Sequence, residues 1–218
     1  MKDVIITPEH PEGLSQTQEK LTLNLYDTGE VLFNFKDGFR LKSSLVSPLY
    51  IDLRRLQFFP DAMDDTVSAL VEQARGLEYD RVAGVPQAAI PTATLFANRL
   101  RKPQITPRME AKSHGLTRPI DGVYFPGETA LVIDDLVTTG GSKFEVINVL
   151  RENGLVVRDV VVVFDRQQGA EQMMLDRGLA LHSALKIKPT LEFYSRLGRI
   201  SQDELTRVTN YLANPLLK

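Results

Sequence analysis

Residues 129–142 read TALVIDDLVTTGGS, an apolar run that ends in two aspartates and continues into small and hydroxyl-bearing residues. A run that is apolar at every position is typical of a strand covered by helices on both faces of a parallel sheet. Residues 160–164, VVVVF, have the same character. We therefore expect these two segments to form the centre of one sheet.

Segments typical of strands and helices alternate on both sides of this run. The sequence predicts strands at 80–85, 129–134, 156–164 and 180–185, and helices at 61–75, 89–100, 142–153 and 169–177. Strands that alternate with helices form βαβ units, so the predicted fold class is α/β, with a mainly parallel sheet flanked by helices. Two further helices, at 188–197 and 201–213, are predicted to close the chain.

The first 60 residues have a different pattern. An irregular helical pattern covers 14–28, and short β-rich runs follow at 31–35, 39–41 and 50–53, interrupted by Asp37-Gly38 and Ser47-Pro48. This pattern predicts a helix and a small antiparallel hood. We expect one compact domain with a helix and hood at 1–60, a core at 61–186 and C-terminal helices at 187–218.

The composition narrows the classes of protein to which the chain can belong. With 26 basic and 28 acidic residues, the net charge of −2 provides no global positive field for binding nucleic acid or an anionic membrane. Cysteine is absent, which excludes disulfides and thiolate zinc sites. The sequence has no long hydrophobic run and no apolar leader, so we expect a cytoplasmic protein with no membrane-spanning segment.

The end of the first segment has the composition of a phosphate-binding loop. Ligands of α/β sheets bind beyond the carboxyl ends of the strands, where residues 134–142 are predicted to lie. Gly140 and Gly141 allow backbone N–H groups to turn toward an anion, and the hydroxyls of residues 138, 139 and 142 add donors. The following helix N-terminus adds partial positive charge. A Walker loop is excluded because no Gly-Lys-Ser/Thr follows.

Asp134 and Asp135 need a separate explanation, because two carboxylates beside a phosphate would repel it. Such a pair suits the vicinal hydroxyls of a ribose, contacted directly or through a hydrated magnesium ion. The alternative is that the two aspartates cap the helix and that Gly140-Gly141 is an ordinary turn. The sequence by itself leaves both interpretations open.

A long segment, 108–128, interrupts the alternation of strands and helices. It holds several glycines, prolines and charges and has no sustained period. Loops of this length inside a domain are usually lids or binding loops. Arg108, Lys112 and His114 have the charges needed to stabilise a departing anion while the loop excludes water. The alternative is a solvated, charged loop.

These residues carry a resemblance to a known family. Residues 131–142 resemble the phosphoribosyl pyrophosphate motif of type I phosphoribosyltransferases. Four other segments, 39–54, 84–91, 108–115 and 165–169, make the chain similar to orotate phosphoribosyltransferases, especially the form fused in eukaryotic UMP synthase. The resemblance implies the type I phosphoribosyltransferase fold. It also implies the transfer of ribose 5-phosphate, with Mg²⁺, from phosphoribosyl pyrophosphate to N1 of orotate, giving orotidine 5′-monophosphate and pyrophosphate.

The resemblance also implies a role for individual residues. Those implied to bind phosphoribosyl pyrophosphate are Lys42, Gln87, Ala88, Asp134, Asp135, Leu136, Val137, Thr138, Thr139, Gly140, Gly141 and Ser142. Those implied to bind orotate are Tyr50, Ile51, Thr138 and Arg166, and those implied to act in catalysis are Arg108, Lys112, His114 and Asp135. The planar guanidinium of Arg166 suits the orotate carboxylate, although Asp165-Arg166 could equally form a surface pair.

The chain departs from the family's pattern at five positions. Met109 and Ser113 stand where the family usually has lysine and aspartate, Ser44 replaces a glycine, Gln87 replaces a tyrosine, and Ala88 replaces the lysine of many bacterial members. Losing one cationic contact to a developing charge lowers a rate by about a hundredfold. We therefore expect Met109 to limit catalysis unless another residue substitutes for the lysine.

Two rival functions remain at this point. One keeps the phosphoribosyl donor and changes the acceptor to another base, perhaps a purine, and the other is a non-catalytic, donor-binding regulator of transcription. The resemblance further implies a homodimer that shares the loop 108–115, and it leaves room for a separate decarboxylase as a partner, since we expect no decarboxylase domain in this chain. Of the other histidines, His182 is predicted to be structural.

Overall fold

The computed structural model describes residues 13–41, 45–109, 119–138 and 141–213, without the side chains of residues 141 and 142. Its helices are α1 Gln16–Asp27, α2 Pro60–Gln73, α3 Ile90–Arg99, α4 Gly141–Glu152, α5 Ala170–Leu175, α6 Ile187–Arg196 and α7 Gln202–Ala213. Its strands are β1 Val31–Phe33, β2 Phe39–Arg40, β3 Val46–Ser47, β4 Leu49–Ile51, β5 Arg81–Gly84, β6 Gln104–Pro107, β7 Ile120–Asp121, β8 Ala130–Val137, β9 Asp159–Asp165 and β10 Ala180–Lys186. A 3₁₀ helix covers Leu53–Phe58.

The central sheet has six strands in the order β10-β9-β8-β5-β6-β7. All neighbouring pairs are parallel except β6 and β7, which are antiparallel. The predicted α/β class and mainly parallel sheet are thus confirmed. The two apolar runs quoted above, in β8 and β9, lie next to each other inside the sheet.

Both faces of the sheet are covered by apolar side chains. Val161 and Val163 of β9 belong to a hydrophobic cluster on one face, and Val160 and Val162 belong to a cluster on the other. Successive residues of a strand point to opposite faces, so a strand buried on both sides must be apolar throughout. This accounts for the unbroken apolar run that the sequence shows.

The hood consists of two small antiparallel pairs, β1 with β4 and β2 with β3. The predicted run 50–53 is wrong at its end, because the strand stops at Ile51 and a 3₁₀ helix begins at Leu53. The carboxylate of Asp52 accepts a hydrogen bond from the backbone N–H of Arg54, and such a local bond favours a turn over continued pairing. The strand β3 was not predicted.

The predicted boundaries also need correction in the core. The sequence analysis missed β6, and it missed β7, which lies inside the segment predicted to lack regular structure. The strand β8 continues to Val137 instead of ending at residue 134, because its last residues pair with Phe164 and Asp165 of β9. The strand β9 starts at Asp159 instead of residue 156. Strand pairing, which the sequence does not display, sets each of these limits.

No helix of the described residues is long and apolar enough to cross a membrane.

Candidate active site

Asp134 and Asp135 lie in the last half of β8. Asp134 is 2% exposed, and Asp135 is half-buried. The Oδ1 atom of Asp134 accepts a hydrogen bond from the backbone N–H of Asp135 at 2.8 Å, and Oδ1 of Asp135 accepts one from Leu136 at 2.7 Å. Both aspartates therefore bind backbone groups of their own strand. These contacts differ from those of the alternative in which the aspartates cap the following helix.

A lysine that the sequence analysis did not single out lies against this pair. Lys143, in the first turn of α4, is 7% exposed, and its Nζ lies 2.7 Å from Oδ2 of Asp134. Burial raises the pKa of Asp134 to about 7, the positive charge of Lys143 opposes the shift, and the charge of Asp135 adds to it. The only signal in the sequence was a lysine just after the loop, and lysines are mostly exposed.

The pKa of Asp134 predicts how stability depends on pH. Because the pKa of this carboxyl is higher in the folded protein than the usual 3.8, the folded state binds the proton more tightly than the unfolded chain does. We therefore expect the free energy of unfolding of the wild type, relative to Asp134→Asn, to fall by a few kcal/mol as the pH rises from about 4 to about 8. Urea unfolding across this range measures the difference. Parallel pH curves for the two proteins would contradict it.

The end of β8 leads directly into the predicted phosphate loop. Val137 is fully buried and Leu136 packs against the core, so these two residues can offer a ligand only backbone atoms. Thr138 follows the strand and is half-buried. The helix α4 begins at residue 141, so its N-terminus faces the same end of the sheet as the two aspartates. Thr139 and Gly140 lie outside the described residues, and for Gly141 and Ser142 only the backbone is described.

Arg166 follows the neighbouring strand β9 and is tied to the same loop. Its backbone N–H donates to the carbonyl of Val137 at 3.0 Å. Its Nε is buried and has no hydrogen-bond partner among the described residues. Burial lowers the pKa of Arg166, and an interaction with the hydroxyl of Tyr211 on α7 opposes the shift. A buried guanidinium donor without a protein partner suits an anionic ligand.

The turn after Arg166 is held rigidly. Gln167 has a positive φ of 51°, and its backbone N–H donates to the buried carboxylate of Asp165 at 2.8 Å. The side-chain oxygen of Gln167 accepts a hydrogen bond from the backbone N–H of Lys188 at 3.0 Å. Asp165 is 2% exposed, so Asp165 and Arg166 do not form the surface pair that the sequence analysis kept as an alternative.

Gln87 and Ala88 lie in the turn between β5 and α3. Gly84, the last residue of β5, pairs with Ile133, so this turn leaves the sheet beside Asp134. A Cβ atom on Gly84 would lie 2.8 Å from the Cβ of Ala93, so α3 approaches the strand too closely for any larger residue. Gln87 is exposed, and the peptide bond before it is cis.

Tyr50 and Ile51 lie on the hood strand β4. Ile51 packs against the hydrophobic core, whereas the ring of Tyr50 contacts the ring of Phe39 in a tilted arrangement, at 5.6 Å between ring centroids. The hydroxyl of Tyr50 accepts a hydrogen bond from Arg54 at 3.4 Å. Of the two, Tyr50 therefore has the side chain with a polar group for a ligand.

Arg108 directly follows β6 and is paired with Asp121 of β7. Its Nε donates to Oδ2 of Asp121 at 2.6 Å, and a second guanidinium nitrogen binds the other carboxylate oxygen. This pairing raises the pKa of Arg108. Met109 comes next and is 42% exposed. If Arg108 acts on a leaving group, its pair with Asp121 must open or be shared.

Comparisons with known proteins give the family. No protein-family model matches the chain. The orotate phosphoribosyltransferase of Caenorhabditis elegans is 37% identical over 184 residues, which cover 83% of this chain and 81% of that protein. The chain belongs to the orotate phosphoribosyltransferase family. The crystal structure of orotate phosphoribosyltransferase from Aeropyrum pernix matches with a TM-score of 0.71 at 33% identity, covering 83% of this chain and 99% of that one. The predicted type I phosphoribosyltransferase fold is confirmed.

A second group of relatives is longer. Uridine 5′-monophosphate synthase of Caenorhabditis elegans is 39% identical over 186 residues, which cover 83% of this chain but 37% of that protein. The chain therefore spans less than half the length of the UMP synthases that it matches. The predicted resemblance to both groups of this family is confirmed.

Membership in the orotate phosphoribosyltransferase family does not test the predicted roles of single residues. The structure brings Asp134, Asp135, Thr138, Arg166 and the turn with Gln87 and Ala88 to one end of the sheet. Lys42, Lys112 and His114 lie outside the described residues, so their predicted roles stay predictions. His182, predicted to be structural, has its Nε2 2.8 Å from Oδ1 of Asp159.

Proposed function

We propose that the protein catalyses the orotate phosphoribosyltransferase reaction, joining orotate to phosphoribosyl pyrophosphate to give orotidine 5′-monophosphate and pyrophosphate. The observation that carries the proposal is the buried, unpaired Nε of Arg166, one hydrogen bond away from the strand that bears Asp134 and Asp135. A guanidinium suited to a carboxylate and the carboxylate of Asp135, suited to ribose hydroxyls, lie at the same end of the sheet, which supports the proposal.

In this proposal, these residues act by positioning the two reactants. The guanidinium of Arg166 would hold the orotate carboxylate, Asp135 would hold the ribose hydroxyls, and the loop before α4 would hold the 5-phosphate. The bond between N1 of orotate and the anomeric carbon forms, with inversion, while the bond to pyrophosphate breaks; pyrophosphate keeps the electron pair, and the proton of N1 passes to the departing pyrophosphate or to water. No nucleophilic side chain is required, because fixing both reactants in line and excluding water supplies the acceleration.

Magnesium fits this proposal as an ion held chiefly by the substrate. Asp134 is occupied by the N–H of Asp135 and by Lys143, so the half-buried Asp135 is the carboxylate better placed to bind a hydrated ion. The described residues contain no group of three or more acidic or histidine side chains that could hold a metal by themselves. Bound Mg²⁺ would offset the charge of the pyrophosphate group.

The test of the proposed function is to mix the protein with orotate, phosphoribosyl pyrophosphate and Mg²⁺ and to follow the loss of orotate absorbance. The proposal expects stoichiometric release of pyrophosphate. Turnover with a purine instead would show that the acceptor is another base. Binding of the donor without turnover of any base would favour the regulator.

Met109 carries a separate prediction. It lies next to Arg108 and exposes its side chain where the family resemblance expects a lysine. We expect Met109→Lys to raise kcat about tenfold or more, because a cation there would stabilise the charge of the departing pyrophosphate. Steady-state kinetics measure the change, with Met109→Gln as a neutral control. An unchanged kcat would show that this position does not limit catalysis.

The assembly is part of the proposal. We propose a homodimer in which the segment 108–115 of one subunit reaches the partner's site, and residues 110–115 of that segment lie outside the described part of the chain. Exposed apolar side chains, among them Phe58 and Leu95, support a protein contact. A monomer in analytical ultracentrifugation would contradict it.

Two further expectations belong with this proposal. One is a cytoplasmic location, which the lack of cysteine favours and cell fractionation tests. The other is a separate decarboxylase partner. It is supported by the greater length of the UMP synthases that match this chain and tested by co-purification.

A further inference from the structure

We propose that Lys143 is a positioning residue of the donor site, which acts by fixing and offsetting the carboxylate of Asp134. The inference rests on the proposed function, because it assigns Lys143 to the binding of the same phosphoribosyl donor. It goes beyond that function by adding a residue that the sequence analysis left out. Lys143 would supply part of the positive charge that Met109 and Ala88 do not provide.

The position of Lys143 is unfavourable unless it has such a role. A lysine is rarely buried, and Lys143 is 7% exposed. It also lies in the first turn of α4, where the helix dipole disfavours a cation. The 2.7 Å contact with Asp134 is what offsets both effects.

The contact determines how much negative charge the donor meets. Asp134 and Asp135 are adjacent, and phosphoribosyl pyrophosphate is itself a polyanion. When Asp134 is ionised, the ammonium of Lys143 offsets its charge, so the two carboxylates and the ammonium together carry one negative charge instead of two. Weak screening inside the protein makes this difference large at the buried end of β8.

The same contact fixes the geometry of the carboxylates. Asp134 is held through Oδ1 by the backbone N–H of Asp135 and through Oδ2 by Lys143. The hydrogen bond and the ion pair both restrain the backbone between the two aspartates. That backbone orients Asp135, which we assign to the ribose. Without Lys143, the buried Asp134 would lose its ion-pair partner and would be free to turn toward the donor.

The experiment compares Lys143→Met with the wild type, in steady-state kinetics and in calorimetric binding of phosphoribosyl pyrophosphate without orotate. Lys20→Met is the matched control, because Lys20 also pairs with an aspartate, Asp65, at 2.6 Å, outside the site. We expect Lys143→Met to raise the donor Kd and KM about tenfold or more, while KM for orotate changes less than about twofold. Lys143→Arg should recover most of the donor affinity, and Lys20→Met should leave it unchanged.

Two results would overturn the inference. One is an unchanged donor Kd in Lys143→Met, and the other is an equal rise of both KM values. If Lys143→Met does not fold, Asp134→Asn and Asp134→Asn/Lys143→Met replace it: equal donor affinity supports the inference, and weaker affinity in the double variant overturns it. If the wild type binds the donor but turns over no orotate, the proposed reaction fails while the Kd comparison still decides the role of Lys143.

Discussion

Replacing Arg166 with leucine is expected to lower kcat/KM for orotate about a thousandfold. The Nε of the half-buried Arg166 is itself buried and has no hydrogen-bond partner among the described residues, and a carboxylate placed there would complete its hydrogen bonds. Leucine leaves that carboxylate buried and unpaired. The donor Kd, measured without orotate, should change little, because Arg166 contacts the donor loop through its backbone N–H, which leucine keeps.

Stability separates this effect from misfolding. Burial lowers the pKa of Arg166, which means that removing its charge from water costs free energy in the folded protein. We therefore expect the Tm of Arg166→Leu to be unchanged or higher. Arg177→Leu is the matched control: Arg177 is exposed and lies over the ring of Phe144 at 4.1 Å. If both variants lose orotate activity to the same extent, Arg166 does not recognise the orotate carboxylate.

Replacing Asp135 with asparagine is expected to lower kcat/KM for phosphoribosyl pyrophosphate about a hundredfold. Asparagine keeps the shape of the side chain, and its oxygen can still accept from the N–H of Leu136. It loses the charge that would bind the ribose hydroxyls and attract a hydrated magnesium ion. The loss should therefore appear in kcat/KM for phosphoribosyl pyrophosphate, with KM for orotate nearly unchanged.

The control for Asp135 is an aspartate on the neighbouring strand. Asp159 lies at the start of β9, where it contacts His182, and so at the opposite end of the sheet from the candidate site. Asp159→Asn should lower stability and leave kcat/KM near the wild-type value. If Asp135→Asn keeps wild-type donor kinetics, the assignment of Asp135 to the ribose is wrong.

Much of the candidate site was visible in the sequence because its chemistry is local. The run 129–142 holds an apolar strand, two aspartates and a segment of glycine and hydroxyl-bearing residues. In the structure, β8 covers most of this run, and α4 begins at its end. Arg166 could be singled out because it follows the other apolar strand. Ligand-binding residues at the carboxyl ends of strands can be predicted in this way, because the strands themselves are recognisable in the sequence.

Residues whose function depends on a distant partner were harder to find. Nothing in the sequence distinguished Lys143 from other lysines, and only the fold brings it against Asp134. Tyr211, far along the chain on α7, gave no sign of its interaction with Arg166. Arg108 was assigned to catalysis by its charge, whereas the structure pairs it with Asp121 on a strand that the sequence analysis did not predict.

The sequence by itself determined the α/β class, the strands at the centre of the sheet and the position of the predicted phosphate loop. These follow from side-chain periodicity and from short motifs, which depend on neighbouring residues. The tertiary structure alone decided where β8 ends, the existence of β6 and β7, and the burial of Lys143 and of the Nε of Arg166. The physical reason is that strand pairing and desolvation depend on groups brought together from distant parts of the chain.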